Sequence, residues 1–422
     1  MALASYPQRA LPKVLAGRFS GRGRALVWSH PLAPRGVPNP TQTLRLHNNV
    51  HPLEETMNAP AKTVSPISQD NPIGTNGFEF VEYSAPSAEG IEELRALFNR
   101  MGFTETRKHR SKQVFLFQQE NVNFVLNAEP DSHAAEFAKV HGPCACAMAW
   151  KVADAKQAFE YALAHGAEAV ENPVGPGEVG IPAVRGIGGS LLYFVDNKVD
   201  SEGRTIYDID FEPIPGRSPN DNSVGLKVLD HLTHNVDRGQ MDKWADFYTE
   251  IANFRENRYF DIKGKKTGLH SRAMTAPCGK MHIPINESAD DSSQIAEFLR
   301  EYNGEGIQHL AMATDDIYAT VRGLRANGVT FLTTPDTYYE KVDTRVPNHE
   351  ENVEDLRELS LLIDGGPDEG VLLQIFTETV IGPIFFEIIQ RKGNDGFGEG
   401  NFKALFESIE EDQIRRGVLK AD

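Results

Sequence analysis

Three polar side chains stand among apolar neighbours. His231 lies in VLDHLTHNV, His309 in GIQHLAMA and Glu387 in IGPIFFEIIQ, at equal intervals along the chain. Each stretch is rich in branched or aromatic residues, and the last is bounded by Gly-Pro, so each reads as a strand. A strand apolar on both faces is buried on both, and a carboxylate buried alone is costly. Two imidazoles and one carboxylate from three strands would form a 2-His-1-carboxylate set. Such a set holds one face of a divalent metal, leaves positions open and suits non-haem Fe(II) oxygen chemistry. A cation there would also supply the counter-charge that Glu387 needs. Taken singly, each histidine reads first as a hydrogen-bonded core residue; the three together carry the metal reading. His234 would share a helix face with His231 but points the opposite way on a strand, so it stays outside the set.

The elements that must position these side chains come in two copies. FEFVEYSAP and IEELRALFNRMGF (78–103) match LDHLTHNV and MDKWADFYTEIANF (229–254) in kind: strand, loop, amphipathic helix, strand. In the second helix Met241, Trp244, Tyr248 and Ile251 make one apolar stripe. Downstream, CACAMAWK with its following helix (144–170) lies beside QHLAMAT with its own (308–332), each ending in a small residue, Gly and an apolar strand. The period is too long for a solenoid and implies two domains of one α+β architecture. FEPIPGRSPNDNS (211–223) is the natural connector. The division is an extension over 1–70, a first domain over 71–212, a connector over 213–224 and a second domain over 225–422. At the matching places the first copy has Phe80 for His231, Ala145 for His309, and Tyr193 or Phe194 for Glu387. The first copy keeps the scaffold and lacks the ligands.

The balance of the 422 residues, 40% hydrophobic and 24% charged, supports a large core. Net charge is −17. Residues 1–53 hold Arg9, Lys13, Arg18, Arg22, Arg24, Arg35 and Arg45 and no acid, so the body is more acidic still. An acidic body argues against nucleic acid and anionic membranes as partners. The cluster Arg107-Lys108-His109-Arg110 reads as a solvated strand or turn. No apolar run approaches the ~20 residues that span a bilayer. The three cysteines give neither a disulfide framework nor a zinc pattern, and buried thiols at Cys144 and Cys146 fit a reducing, cytoplasmic setting. The Arg-rich head has three readings: a targeting segment, an upstream stretch ahead of a true start at Met57, or a disordered extension. All three imply no fixed structure before about residue 70.

LDHLTHNV, GIQHLAM, LLQIFTE, FFEIIQR and GFGEGNF, in this order, resemble the 4-hydroxyphenylpyruvate dioxygenase family. The likeness runs from about Gly77 to Glu410 and is strongest from Val228 onward. It implies a vicinal-oxygen-chelate fold: two tandem glyoxalase-like domains of paired βαβββ units forming open barrels, with a C-terminal helix over the active site. It implies Fe(II) held by His231, His309 and Glu387 in the second barrel alone. Close to the chemistry it places Gln308, Gln374, Asn401 and Phe402; as substrate contacts it places Ser271, Asn286, Gln294, Phe376 and Phe397. The reaction implied converts 4-hydroxyphenylpyruvate and O2 to homogentisate and CO2, in tyrosine and phenylalanine catabolism. The substrate brings its own 2-oxo acid to chelate iron, aromatic walls stack on its ring, and neutral amides orient it without adding charge. A homodimer or homotetramer is the assembly the resemblance suggests.

Two other functions compete. 4-Hydroxymandelate synthase shares the substrate and the triad, and the resemblance ties that outcome to a smaller aliphatic residue where Phe402 stands here. A metal-free small-ligand-binding module of the same fold would need neither the open triad nor an amide-rich pocket. GFGEGNF lacks the preceding strand and the lysine of a phosphate loop and reads as a hinge leading into a helix over 402–416.

Overall fold

The computed structural model describes residues 69–405, apart from 172, 197–199, 264–267, 292, 367–368 and 402. The leader expected over 1–70 lies outside these residues save for its last two, as do Phe402 and the closing helix beyond 405.

Among the described residues, strands gather into two sheets. The first holds β1 (Phe78–Ser84), β2 (Thr104–His109), β3 (Val114–Gln119), β4 (Val122–Asn127), β5 (Cys144–Lys151), β6 (Ala169–Val170), β7 (Ala183–Arg185), β8 (Leu191–Val195) and β9 (Phe211–Pro213). The second holds β10 (Val228–Val236), β11 (Arg255–Lys263), β12 (Gly268–Thr275), β13 (His282–Ser288), β14 (Gly306–Ala313), β15 (Leu362–Gly366), β16 (Gly370–Phe376) and β17 (Phe385–Lys392). The spatial orders are β6-β7-β8-β5-β1-β4-β3-β2-β9 and β11-β12-β13-β10-β14-β17-β16-β15. Read in opposite directions they are the same order, with β9 added at one edge of the first.

Each sheet is two βαβββ units. Within a unit the first and last strands pair in parallel, β1 with β4 and β10 with β13. The two units of a sheet meet along an antiparallel seam, β1 with β5 and β10 with β14. A parallel return needs a crossover, and helices supply it: Ala88–Arg100, Ala155–Ala164, Met241–Ala252 and Ile317–Ala326. Side chains alternate across a strand, so one face of each sheet meets helices while the other lines a barrel. The helix-side residues Leu229, Leu232, Val236, Met312, Phe386 and Ile388 join Phe98, Phe124 and Trp150 in one core that serves both sheets. Phe124 stacks 5.9 Å from Phe386, and Trp150 stacks 5.1 Å from Phe254. The connector is pinned too: the Gln119 side chain accepts hydrogen bonds from the amides of Val224 and Leu226.

The inner faces differ. The first barrel is packed with Phe80, Leu116, Ala147, Ala149, Leu191, Tyr193 and Phe211. The second carries the polar outliers of the sequence.

Candidate metal centre

The register of β10, β14, β17 and β16 places His231, Ala311, Glu387 and Phe376 side by side in one row. Paired residues point to the same face of a sheet, so His231 and Glu387 flank the small side chain of Ala311. His309 lies two residues before Ala311 on β14 and therefore on the same face. The Nε2 of His231 is 3.1 Å and that of His309 3.3 Å from the same oxygen of Glu387. One ligand atom from each of the three lies within 4.8 Å of the others. His231 and Glu387 are 3% exposed, while His309 is only partly buried, so the cluster opens on the His309 side.

Two β-bulges aim the histidines. Pairing jumps from Leu229 opposite Met312 to His231 opposite Ala311, which makes Asp230 an extra residue. It jumps again from Thr233 opposite His309 to His234 opposite Ile307, which makes Gln308 the extra residue on β14. A bulge re-aims the side chains around it. Asp230 accepts from His231 Nδ1 at 2.9 Å, and Gln308 Oε1 meets His309 Nδ1 at 2.9 Å. Each pairing keeps the proton on Nδ1 and turns an Nε2 lone pair to the cluster, as a metal ligand requires. Arg391 in turn holds Asp230 with a two-pronged contact, Nε and Nη2 at 2.8 and 2.7 Å.

Electrostatics follow from burial and pairing. Burial works against charge on Glu387, yet the two histidines hold its carboxyl below the usual range. Burial also opposes a charge on His231, but Glu387 and Asp230 prevail and raise its pKa. On His309 burial wins, and its pKa falls. Asp230, partly buried, is kept ionised by Arg391 and His231. A carboxylate so placed needs a close positive charge, because an uncompensated buried charge costs several kcal/mol; a protonated His231 supplies it without metal and a divalent ion would supply it with metal. The donor set, two imidazole nitrogens and a carboxylate oxygen with both remote nitrogens engaged, fits a first-row divalent metal.

Around the cluster the described residues make a graded wall. Gln374, 1% exposed, donates to Glu387 Oε1 at 3.3 Å and accepts from Asn401 Nδ2 at 3.1 Å. Asn401 is buried and accepts from the Tyr338 hydroxyl at 2.5 Å and from Arg345 Nη1 at 3.3 Å. Phe376 meets His309 edge-on at 6.3 Å, and Phe397 meets His231 edge-on at 5.5 Å. Phe385 stacks on His309 at 4.9 Å. Farther along the same inner face, Ser271 pairs with Asn286 and Asn286 with Asn235. Asn286 Nδ2 donates to Asn235 Oδ1 at 3.4 Å, and the buried Asn235 Nδ2 has no partner of its own.

Several expectations from sequence need correction. Gln294 is the first residue of the helix Gln294–Tyr302 and is exposed, while Ile295, Phe298 and Tyr302 are the buried residues of that helix. Its exposure comes from its place at the helix start, although Phe298 one turn on is buried on the same side. The residue matching His309 in the first sheet is Ala147, not Ala145, because Phe80, Ala149 and Tyr193 form the row equivalent to His231, Ala311 and Glu387. The row also selects Tyr193 over Phe194. The glycines of GFGEGNF serve close approach as well as turning. Gly398 has φ +76°, and a Cβ there would lie 1.7 Å from Gln374 Oε1. His234 faces the helix side, where the Tyr248 hydroxyl meets its Nδ1 at 3.1 Å. Asp230, Asn235, Arg391 and Tyr338 escaped the sequence reading. The signal for Asp230 was its place directly before a candidate ligand; the others had none without the register.

Two family models match the chain. "Hydroxyphenylpyruvate dioxygenase, HPPD, N-terminal" matches residues 69–212, and "Glyoxalase/Bleomycin resistance protein/Dioxygenase superfamily" matches residues 228–345. The chain is 71% identical over 364 residues to a 4-hydroxyphenylpyruvate dioxygenase of Pseudomonas aeruginosa, covering 86% of this chain and 100% of the other. It is 64% identical to hemolysin VllY of Vibrio vulnificus, over 83% of this chain and 98% of the other. Among solved structures it resembles a mutant 4-hydroxymandelate synthase from Streptomyces coelicolor. That match has a TM-score of 0.68 and 26% identity, covering 81% of this chain and all of that one.

Proposed function

The chain belongs to the 4-hydroxyphenylpyruvate dioxygenase family, and on that premise we propose that it converts 4-hydroxyphenylpyruvate and O2 to homogentisate and CO2 with Fe(II) held by His231, His309 and Glu387. The observation that carries this reading is the convergence of both Nε2 atoms on one buried Glu387 oxygen. Fe(II), when bound, supplies the redox chemistry between O2 and the chelating 2-oxo acid. The protein's part is to hold geometry. Asp230 and Gln308 fix the tautomers of the two histidines. Gln374 steadies the free Glu387 oxygen and ties it to Asn401. Phe376 and Phe397 wall the ring, while Ser271, Asn286 and Asn235 present hydroxyl and amide groups to its polar end. The buried wall excludes water that would compete for the open positions.

Phe402 stands for ring attack rather than benzylic attack, on the family resemblance. The likeness to a 4-hydroxymandelate synthase makes benzylic hydroxylation the second reading. A homodimer or homotetramer in the cytoplasm completes the proposal; buried free thiols at Cys144 and Cys146 accord with that compartment. Among the described residues no helix is long and apolar enough to cross a membrane.

The test is oxygen uptake by the Fe(II)-reconstituted protein with 4-hydroxyphenylpyruvate, with products separated by chromatography. Homogentisate and oxygen consumed one-to-one is the expected result. Hydroxymandelate as the main product would select the second reading, and no uptake would remove both.

A further inference from the structure

Arg391 sits four residues after Glu387 on β17, so it points to the same inner face. Beyond the end of β14 its guanidinium spans to β10 and grips Asp230 through Nε and Nη2. Its remaining nitrogen does a different job. Nη1 donates to the carbonyls of Asn394 and Gly396, at 3.1 and 2.7 Å. The guanidinium also lies 5.7 Å from the centre of the Phe397 ring, a cation–π distance. One side chain therefore holds two things: the carboxylate that orients His231, and the backbone at the start of the segment 394–401.

That segment runs over the barrel's inner face. Phe397 meets His231 and His282 edge-on, Gly398 presses against Gln374, and Glu399 pairs with Arg258. Asn401 reaches Gln374, which reaches Glu387. Two of the three candidate ligands are thus joined to this segment by hydrogen bonds, one chain through Arg391 and the other through Gln374.

We propose that Arg391 is a positioning residue that couples the orientation of His231 to the seating of segment 394–401, so that metal binding and ordering of the segment favour each other. The proposal rests on the reading of His231, His309 and Glu387 as a metal site. Its physical basis is geometric: the planar fork makes four hydrogen bonds from three nitrogens, two to the Asp230 carboxylate and one to each carbonyl, whereas a lysine ammonium has three donors on one atom and cannot span both partners. Coupling of this kind is reciprocal, so whatever strengthens one event strengthens the other by the same factor.

The experiment titrates Fe(II) alone, without oxygen, into metal-free full-length protein. It follows metal affinity and hydrogen exchange of the 394–401 backbone amides. In the wild type, Fe(II) should slow exchange across the segment. Arg391→Gln should weaken metal binding about ten- to a hundredfold, the usual cost of losing a group behind a ligand, and should abolish the metal-dependent slowing. Arg391→Lys should recover most of the affinity, through its charge on Asp230, and little of the slowing. A merely structural arginine would not separate the two readouts in this way. Wild-type affinity in Arg391→Gln, or weakened affinity with the slowing intact, would overturn the coupling. If Arg391→Gln does not fold, Arg391→Lys decides alone: slowing equal to the wild type overturns the proposal. A wild type that binds no Fe(II) would overturn the metal reading and the proposal together.

Discussion

The two barrels share strand order, register and even irregularities, and differ in what fills them. In the first, Phe78 pairs with Trp150 and Phe80 with Ala149, leaving Glu79 as an extra residue; Glu82 pairs with Ala147 and Tyr83 with Ala145, leaving Cys146 as another. These are the bulges of Asp230 and Gln308 over again. Yet across Ala149 the flanking side chains are Phe80 and Tyr193, with ring centres 5.7 Å apart, where across Ala311 they are His231 and Glu387. One barrel fills this row with aromatic rings, whose burial stabilises by about 25 cal/mol per Å² of apolar surface removed from water, with Glu82 buried two residues along. The other turns it into a charged cluster whose burial is unfavourable unless a protonated His231 or a metal ion balances Glu387. The bulges therefore belong to the scaffold, and the chemistry belongs to three substitutions on it.

The sharpest way to break this comparison is to exchange the third member of each row. Glu387→Gln removes the charged ligand and leaves an amide, a weak donor to a divalent cation. Turnover should fall more than about a hundredfold, beyond the usual cost of losing a group behind a ligand, and bound iron should be lost. Tyr193→Phe, at the equivalent place in the first barrel, should leave turnover unchanged. Measured side by side by iron content and oxygen uptake, equal effects would mean that the first barrel takes part in the chemistry.

How much of this was legible in the sequence depends on what each residue must contrast with. His231, His309 and Glu387 were visible because they interrupt apolar strands. The doubled architecture was visible because each copy repeats strand, helix and strand in order. The exact partner of His309 was not, because matching the two Ala-Met-Ala stretches slips the register by two residues. A two-residue slip keeps every side chain on its face, so the expectation of a small apolar residue survived while its number changed. The pairing of Asp230 with Arg391 was illegible for a different reason. An acid and a base near strand ends read as solvated, and only the bulge at Asp230 and the end of β14 bring them together.

The middle residue of each row gives a second, smaller test. Ala311 lets His231 and Glu387 meet across it, and Ala149 lets Phe80 and Tyr193 do the same. Ala311→Val and Ala149→Val each insert two methyl groups into a packed row, and each should cost about 1–3 kcal/mol of stability. Only Ala311→Val should also weaken metal binding, by more than about tenfold, because it spreads ligands that must share one ion. Thermal unfolding and metal titration of the two variants separate the effects. A matching loss of metal affinity in Ala149→Val would show that the shared core transmits strain between the sheets, and the barrels would no longer count as independent.

The smallest effects should come from the bulged residues. Gln308 accepts from His309 Nδ1 but is half-buried, so water can take over the proton when the amide is removed. Gln308→Ala should therefore weaken metal affinity by only about tenfold, the low end for a group that orients a ligand, with little change in stability. Cys146 occupies the same bulge in the first barrel, fully buried, with its thiol 3.4 Å from the Glu82 carbonyl. Cys146→Ala removes a packed sulfur and a weak hydrogen bond, and should cost about 1–2 kcal/mol in thermal unfolding while leaving metal affinity alone. The opposite pattern, stability lost at Gln308 and affinity lost at Cys146, would mean that the bulge on β14 holds the second barrel's backbone rather than aiming its histidine. The tenfold figure matters because it separates orientation from ligation: an effect at Gln308 as large as that at Glu387 would place its amide among the ligands themselves.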